Sequence, residues 1–194
     1  MSDAASGIGA IVLAGGRSSR FGRDKLAEPI DGRPLLDHVL TAVRALTDDI
    51  VVVAAPGATP SVPADVRVVH DERPFEGPLV GLVTGLATTT ADRVIVVAGD
   101  MPTLVPAVLG RLVARLGPDA PAAILGTSGR RAILPMALST VPAAAAAQQL
   151  VTEGERRLGA ILDLLGSGLV PEADWRFDDP DGRTLRDVDL PTDL

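Results

Sequence analysis

The sequence predicts an open α/β fold: a single domain over residues 1–194 with one mostly parallel sheet and helices on both faces. Three observations predict it. Short runs rich in Val and Ile recur along the chain, apolar at successive positions, as strands covered on both faces must be. Segments of helical period lie between those runs, and strand and helix in alternation imply crossover connections. The 194 residues suffice for one compact core, and no interior stretch has the composition of a linker.

The elements follow in order. "IGAIVLAG" (8–15) reads as the first strand, and Leu36, Val39, Leu40 and Val43 then repeat at i, i+3, i+4, i+7, a helix with one apolar side. "DIVVVAA" (49–55) and "VRVVH" (66–70) are strands, separated by "APGATPSVPAD" (55–65), whose three prolines predict a surface loop. "RVIVVAGD" (93–100) is a fourth strand, and Leu109, Leu112, Val113 and Leu116 mark a second one-sided helix, with Thr103 as its expected cap. After the strand "PAAILG" (121–126), "VPAAAAAQQLV" (141–151) is a strong helix former with Pro142 near its start. Leu158, Ile161, Leu162 and Leu165 give a last apolar stripe, closed by Gly166. His38 reads as a helix-surface residue and Trp175 as an apolar anchor for the C-terminal segment. There is no internal repeat.

Composition removes several function classes. A net charge of -7 and an aromatic content of 2% supply neither the basic face nor the stacking platforms of a nucleic-acid binder, so no nucleic-acid partner is expected. The absence of cysteine excludes disulfides, thiolate metal sites and cysteine nucleophiles. No apolar run reaches the ~18 residues of a membrane span. The start "MSDAASGIGA" has no basic n-region, which leads us to expect a cytoplasmic protein with no membrane partner.

Against that acidic background, "IVLAGGRSSRFGRDK" (11–25) gathers Arg17, Arg20, Arg23 and Lys25, offset only by Asp24, immediately after the first strand. Open parallel sheets bind ligands beyond the carboxyl ends of their strands. Gly15 and Gly16 would let backbone N–H groups approach a phosphate chain that a Cβ would obstruct. A polyanion is the expected guest, against the plainer reading of a solvated turn. The loop is not a Walker A, because the spacing fails, nor the dinucleotide fingerprint, because Gly7 and Gly9 precede the strand. An aspartate ending a central strand, Asp100, would face the same crevice, where Mg²⁺ could bridge it to triphosphate oxygens.

"LAGGRSSRFGRDK" (13–25) resembles the signature of nucleotidyltransferases that activate phosphorylated metabolites, and most closely that of the molybdenum cofactor guanylyltransferases, the MobA family. That family reads L-A-G-G, then R-M-G and D-K, with Phe21 standing here for the methionine. "HDERPFEGPLVGL" (70–82) is similar to its second block, "VVAGDMPTL" (96–104) to its third, "ERRLGAILDLLG" (155–166) to its later E-R-R segment, and "RDVDLPTDL" (186–194) to its terminal N-x-N-T-P-x-x-L. The resemblance implies a Rossmann-like fold of the nucleotide-diphospho-sugar transferase type. It implies transfer of GMP from GTP, with Mg²⁺ as cofactor, to the terminal phosphate of a molybdopterin acceptor, and release of pyrophosphate. Transient contact with cofactor-delivery or molybdoenzyme proteins would accompany that role.

For individual residues the resemblance implies that Lys25 and Arg20 hold the triphosphate and that Leu13, Ala14, Gly15 and Gly16 line the nucleotide. Asp71 would contact the nucleotide, Gly77, Pro78 and Gly81 would let backbone approach the base, and Asp100 would hold the metal. Three departures stand out. Asp187 and Asp189 replace asparagines, Ala54 replaces a strand-end asparagine of some members, and "RAILPMAL" (131–138) replaces a polar pair near position 133. Asp187 and Asp189 read equally as metal ligands or as a solvated acidic tail. The rival readings are a nucleotidyltransferase using CTP or another phosphorylated acceptor, such as a sugar phosphate or phospholactate, and a non-catalytic nucleotide-binding protein.

Overall fold

The structure is a computed structural model that describes residues 7–15, 25–71, 77–128 and 132–188. Gly16, Arg17, Arg20, Phe21, Arg23, Glu72, Arg73 and Asp189 lie outside the described residues.

The apolar runs become strands where expected: β1 (Ile8–Ala14), then a two-residue pair β2 (Pro29–Ile30) and β3 (Arg33–Pro34), then β4 (Ile50–Ala54), β5 (Arg67–His70), β6 (Arg93–Ala98) and β7 (Ala122–Leu125). Two further strands, β8 (Met136–Ser139) and β9 (Gly168–Val170), complete the sheet. The order is β5-β4-β1-β6-β8-β7-β9, and β8 alone runs antiparallel to its neighbours β6 and β7. Helices α1 (Leu35–Arg44), α2 (Pro78–Thr88), α3 (Pro106–Arg115), α4 (Thr140–Thr152), α5 (Ala160–Leu165) and α6 (Glu172–Trp175) cover it.

The two faces divide the strands' alternation. Ala10, Val12, Ile50, Val52, Ile95 and Val97 point to the side covered by Leu36, Val39 and Leu40 of α1 and Val108, Leu109 and Leu112 of α3. Ile11, Val51, Val53, Val94 and Val96 point to the other side, onto Leu79, Leu82 and Leu86 of α2 with the alanines of α4 and Ile161 and Leu162 of α5. Each such side chain taken from water contributes roughly 1.5–3 kcal/mol, and period 2 puts every residue of these strands on one face or the other. That is why the runs are apolar throughout.

Three local expectations change. α2 occupies 78–88, where the sequence suggested only a glycine-rich approach to a ligand; Gly77 precedes it with φ +101 and Pro78 opens it. Its composition, rich in Val, Thr and Gly, hides the helix, which forms because Leu79, Leu82 and Leu86 repeat at helical spacing against the sheet. Thr103 is not the cap of α3. The cap position is Val105, with no side-chain cap bond, while the Thr103 hydroxyl donates to the Arg183 carbonyl at 2.7 Å. His38 is half-buried rather than simply exposed, its Nε2 2.9 Å from the Ile30 carbonyl, which pins the β2-β3 hairpin to α1. That hairpin turns on Asp31 and Gly32, both at positive φ, the pattern a two-residue loop demands. No helix among the described residues is long and apolar enough to cross a membrane.

Candidate active site

β1 runs through α1 to β4 on one side, whereas β6 runs through α3 to strands on the other side. The chain therefore changes direction between β1 and β6, and a crevice opens beyond their carboxyl ends. The two strands stay joined up to the crevice: the Gly99 N–H donates to the Leu13 carbonyl at 2.9 Å. Beyond that bond stands Asp100, and the short 3₁₀ turn Lys25–Ala27 brings Lys25 against it. Lys25 Nζ donates to Asp100 Oδ2 at 2.8 Å, the lysine side chain 12% and the aspartate 28% exposed. Residues 75 apart in sequence thus form a half-buried ion pair at the switch point.

The structure also brings together Leu13, Gly15, Asp71 and Gly81. A Cβ at Gly15 would lie 3.5 Å from Asp71 Oδ2, and one at Gly81 would lie 3.5 Å from that same atom and from Leu13. The Asp71 N–H donates to the Ala54 carbonyl, and Thr84 Oγ1 donates to Asp71 Oδ1 at 3.3 Å. Asp71 is therefore held from both α2 and β4. Gly77 and Pro78 do not join this group. They line a separate cleft of about 1100 Å³, where a Cβ at Gly77 would meet the Arg156 carbonyl at 2.9 Å.

That cleft reaches Asp100 and Met101 and, on the segment beside them, Leu185 and Asp187. Its cationic wall is Arg156, Arg157 and Arg176; its apolar wall includes Ala132, Ile133, Leu134 and Leu158. The apolar wall is where the sequence lacks a polar pair, and Ile133 packs onto Gly159, 3.2 Å from where a Cβ would stand. Glu155 organises the arginine loop. The Arg157 guanidinium, then the amides of Arg157 and Arg156, hold its carboxyl down at about 2. Elsewhere on the lining the Ser128 N–H donates to Glu172 at 2.6 Å and, with Arg176, keeps that carboxyl below its ordinary value although burial opposes this.

Arg176, Glu172 and Ser128 escaped the sequence reading, because they meet only through packing. Trp175 fixes their neighbourhood: fully buried, it donates Nε1–H to the Gly126 carbonyl at 2.8 Å, and the Arg176 guanidinium lies 4.6 Å over its ring. Adjacent Trp and Arg near the C-terminus were the one available signal.

Fold and crevice together define an α/β protein built to take a ligand at the switch point between β1 and β6. Residues 10–168 match the family described as MobA-like NTP transferase domain, and the chain belongs to that family. Over 193 residues it is 34% identical to the probable molybdenum cofactor guanylyltransferase of Chloroflexus aggregans, covering 95% of this chain and 90% of that one. It is 33% identical over 175 residues to the probable molybdenum cofactor guanylyltransferase of Mycobacterium avium, 88% of each chain. Among solved structures, the molybdopterin-guanine dinucleotide biosynthesis protein A of Archaeoglobus fulgidus superposes with a TM-score of 0.76 at 21% identity, over 95% of this chain and 93% of that one. That likeness establishes the fold.

Proposed function

We propose that this chain transfers GMP from GTP to the terminal phosphate of a molybdopterin acceptor, forming the guanine dinucleotide cofactor and releasing pyrophosphate. Family membership and the names of its two relatives support the reading. The observation that carries it is the Lys25–Asp100 pair at the switch point, where Asp100 lines the same cleft as Arg156, Arg157 and Arg176.

An oxygen of the acceptor's phosphate forms the new bond to the α-phosphorus, the bond from that phosphorus to the β-phosphate oxygen breaks, and pyrophosphate leaves. No protein nucleophile is needed, so catalysis is positioning plus charge neutralisation. Lys25, with Arg20, holds the triphosphate; the backbone of 13–16 lines the nucleotide; Asp71 offers a carboxylate to the N–H donors of guanine. Arg156 and Arg157 hold the acceptor's phosphate end, and the apolar wall takes its ring system. When nucleotide binds, Lys25 exchanges Asp100 for phosphate oxygens.

Magnesium fits the residues present. Asp100 and Asp187 are hard oxygen donors lining one cleft, with Asp189 as a third candidate beyond the described residues. Among the described residues no group of three or more His, Cys, Asp or Glu stands together. Mg²⁺ is commonly held by one or two carboxylates plus substrate phosphates, a share that Asp100 and Asp187 could supply. Bound there, the ion supplies charge neutralisation at the triphosphate.

The test incubates purified protein with Mg²⁺, molybdopterin acceptor and either GTP or CTP, and measures pyrophosphate. Release with GTP and strong rejection of CTP is expected, because a site that hydrogen-bonds one base leaves polar groups unpaired with another. Release with CTP alone would move the reading to cytidylyl transfer. No release with any nucleotide and acceptor would leave a nucleotide-binding protein without this chemistry.

A further inference from the structure

The segment that carries Asp100 is held in place from far along the chain. α3 has no side-chain cap of its own; instead Thr184 Oγ1 accepts the Val105 N–H at 3.1 Å. The Thr103 hydroxyl donates to the Arg183 carbonyl at 2.7 Å, and the Val188 N–H donates to the Asp100 carbonyl at 2.9 Å. Three bonds thus tie residues 100–105 to residues 183–188. Behind them sits Asp179, fully buried like Thr184, whose Oδ1 accepts the Arg183 N–H at 3.0 Å and whose Oδ2 accepts the Thr184 N–H at 2.7 Å.

We propose that Asp179 and Thr184 are positioning residues for the transfer reaction, fixing the separation of Asp100 and Asp187 in the cleft lining. The proposal rests on the guanylyl-transfer reading. Asp179 shapes the tight turn that ends in the 3₁₀ segment Arg183–Leu185, and Thr184 docks that segment on the start of α3. Both ends of the joint line the cleft: Asp100 and Met101 on one segment and Leu185 and Asp187 on the segment bonded beside it. An apolar plug could fill the same volume without the cost of burying a carboxylate. What the hydrogen bonds add is direction. They set the two carboxylates at one separation, which a shared metal would require.

The experiment compares Thr184→Val, which keeps the shape and loses the hydroxyl, with Thr184→Ser, which keeps the hydroxyl. Thr184→Val is expected to lower kcat about tenfold, to weaken calorimetric binding of Mg²⁺–GTP about tenfold, and to leave binding of metal-free GTP within about twofold, the scale of one hydrogen bond lost. Thr184→Ser should stay within about twofold of wild type in all three. Should Thr184→Val fail to fold, exposed Thr103→Val removes the outer bond of the same joint and should weaken Mg²⁺–GTP binding about threefold. Wild-type binding of Mg²⁺–GTP with unchanged binding and kcat in the folded variant would overturn the positioning role alone. Failure of the wild type to bind Mg²⁺–GTP would overturn the guanylyl-transfer reading, and this proposal with it.

Discussion

At the scale of single residues, Lys25 and Glu155 sit in environments that make different demands. Lys25 already sits on Asp100, so under the proposed reaction its ammonium would be preorganised where phosphate charge is to be neutralised. Lys25→Ala should lower turnover roughly 10²- to 10³-fold, the effect of removing one preorganised donor, in a steady-state assay of pyrophosphate release. Near wild-type turnover would remove Lys25 from the mechanism. Glu155 is held ionised by the Arg157 guanidinium and two amides, with its carboxyl at about 2 against an ordinary 4.5. Because the folded value lies below the unfolded one, its stabilisation is present above about 4.5 and lost as pH falls toward about 2. The gap in melting temperature between wild type and Glu155→Gln should therefore be widest above about pH 4.5 and close toward pH 2. A gap unchanged across that window would contradict the ion-held loop.

At the scale of elements, α2 shows how packing overrules composition. Gly81 and Gly85 lie one turn apart on its buried side, yet they face different surroundings. A Cβ at Gly81 would make ordinary contacts at 3.5 Å, whereas one at Gly85 would stand 2.6 Å from Ile11 Cγ2 and 3.2 Å from two further buried side-chain atoms. Alanine improves helix propensity at both sites by up to about 1 kcal/mol. Gly81→Ala should therefore be neutral or stabilising in urea unfolding, and Gly85→Ala should cost about 1–3 kcal/mol through overpacking between α2 and β1. Equal effects at the two positions would mean that α2 does not lie against β1 as described.

At the scale of the whole molecule, the C-terminal strap is part of the main core. Trp175 and Val188 belong to the same buried cluster as Val12 of β1, Val97 of β6 and Leu109 of α3. The Arg111–Asp178 ion pair and the Trp175 bond to Gly126 fasten the strap to α3 and to the end of β7. Trp175 is the only tryptophan, so its fluorescence reports on the strap while circular dichroism reports on all helices and strands. The two denaturation transitions should coincide, as one cooperative unit requires. An earlier fluorescence transition would show the strap detaching on its own, and would separate the fixing of Asp100 from the stability of the sheet.

The sequence by itself determined the parallel core and the crevice. The strands in the runs at 8–15, 49–55, 93–100 and 121–126 bury both faces, a demand that only continuous apolar stretches meet, and the run at 66–70 supplies the half-exposed edge strand β5, so all five are visible without coordinates. Lys25 and Asp100 could be read because each follows a strand at the end where such folds bind ligands. Only the tertiary structure decided the rest. β8 (MALS) and β9 (GLV) present no run rich in Val and Ile, and exist because neighbouring strands offer them unpaired edges. Gly81 and Gly77 look alike in sequence, but the turn into α2 sends one toward Asp71 and the other toward Arg156. Thr184 carries no motif, since its bond from the Val105 N–H spans 79 residues and depends on where the chain has been folded and not on what stands beside it, and the local turn of Asp179 matters only through that docking.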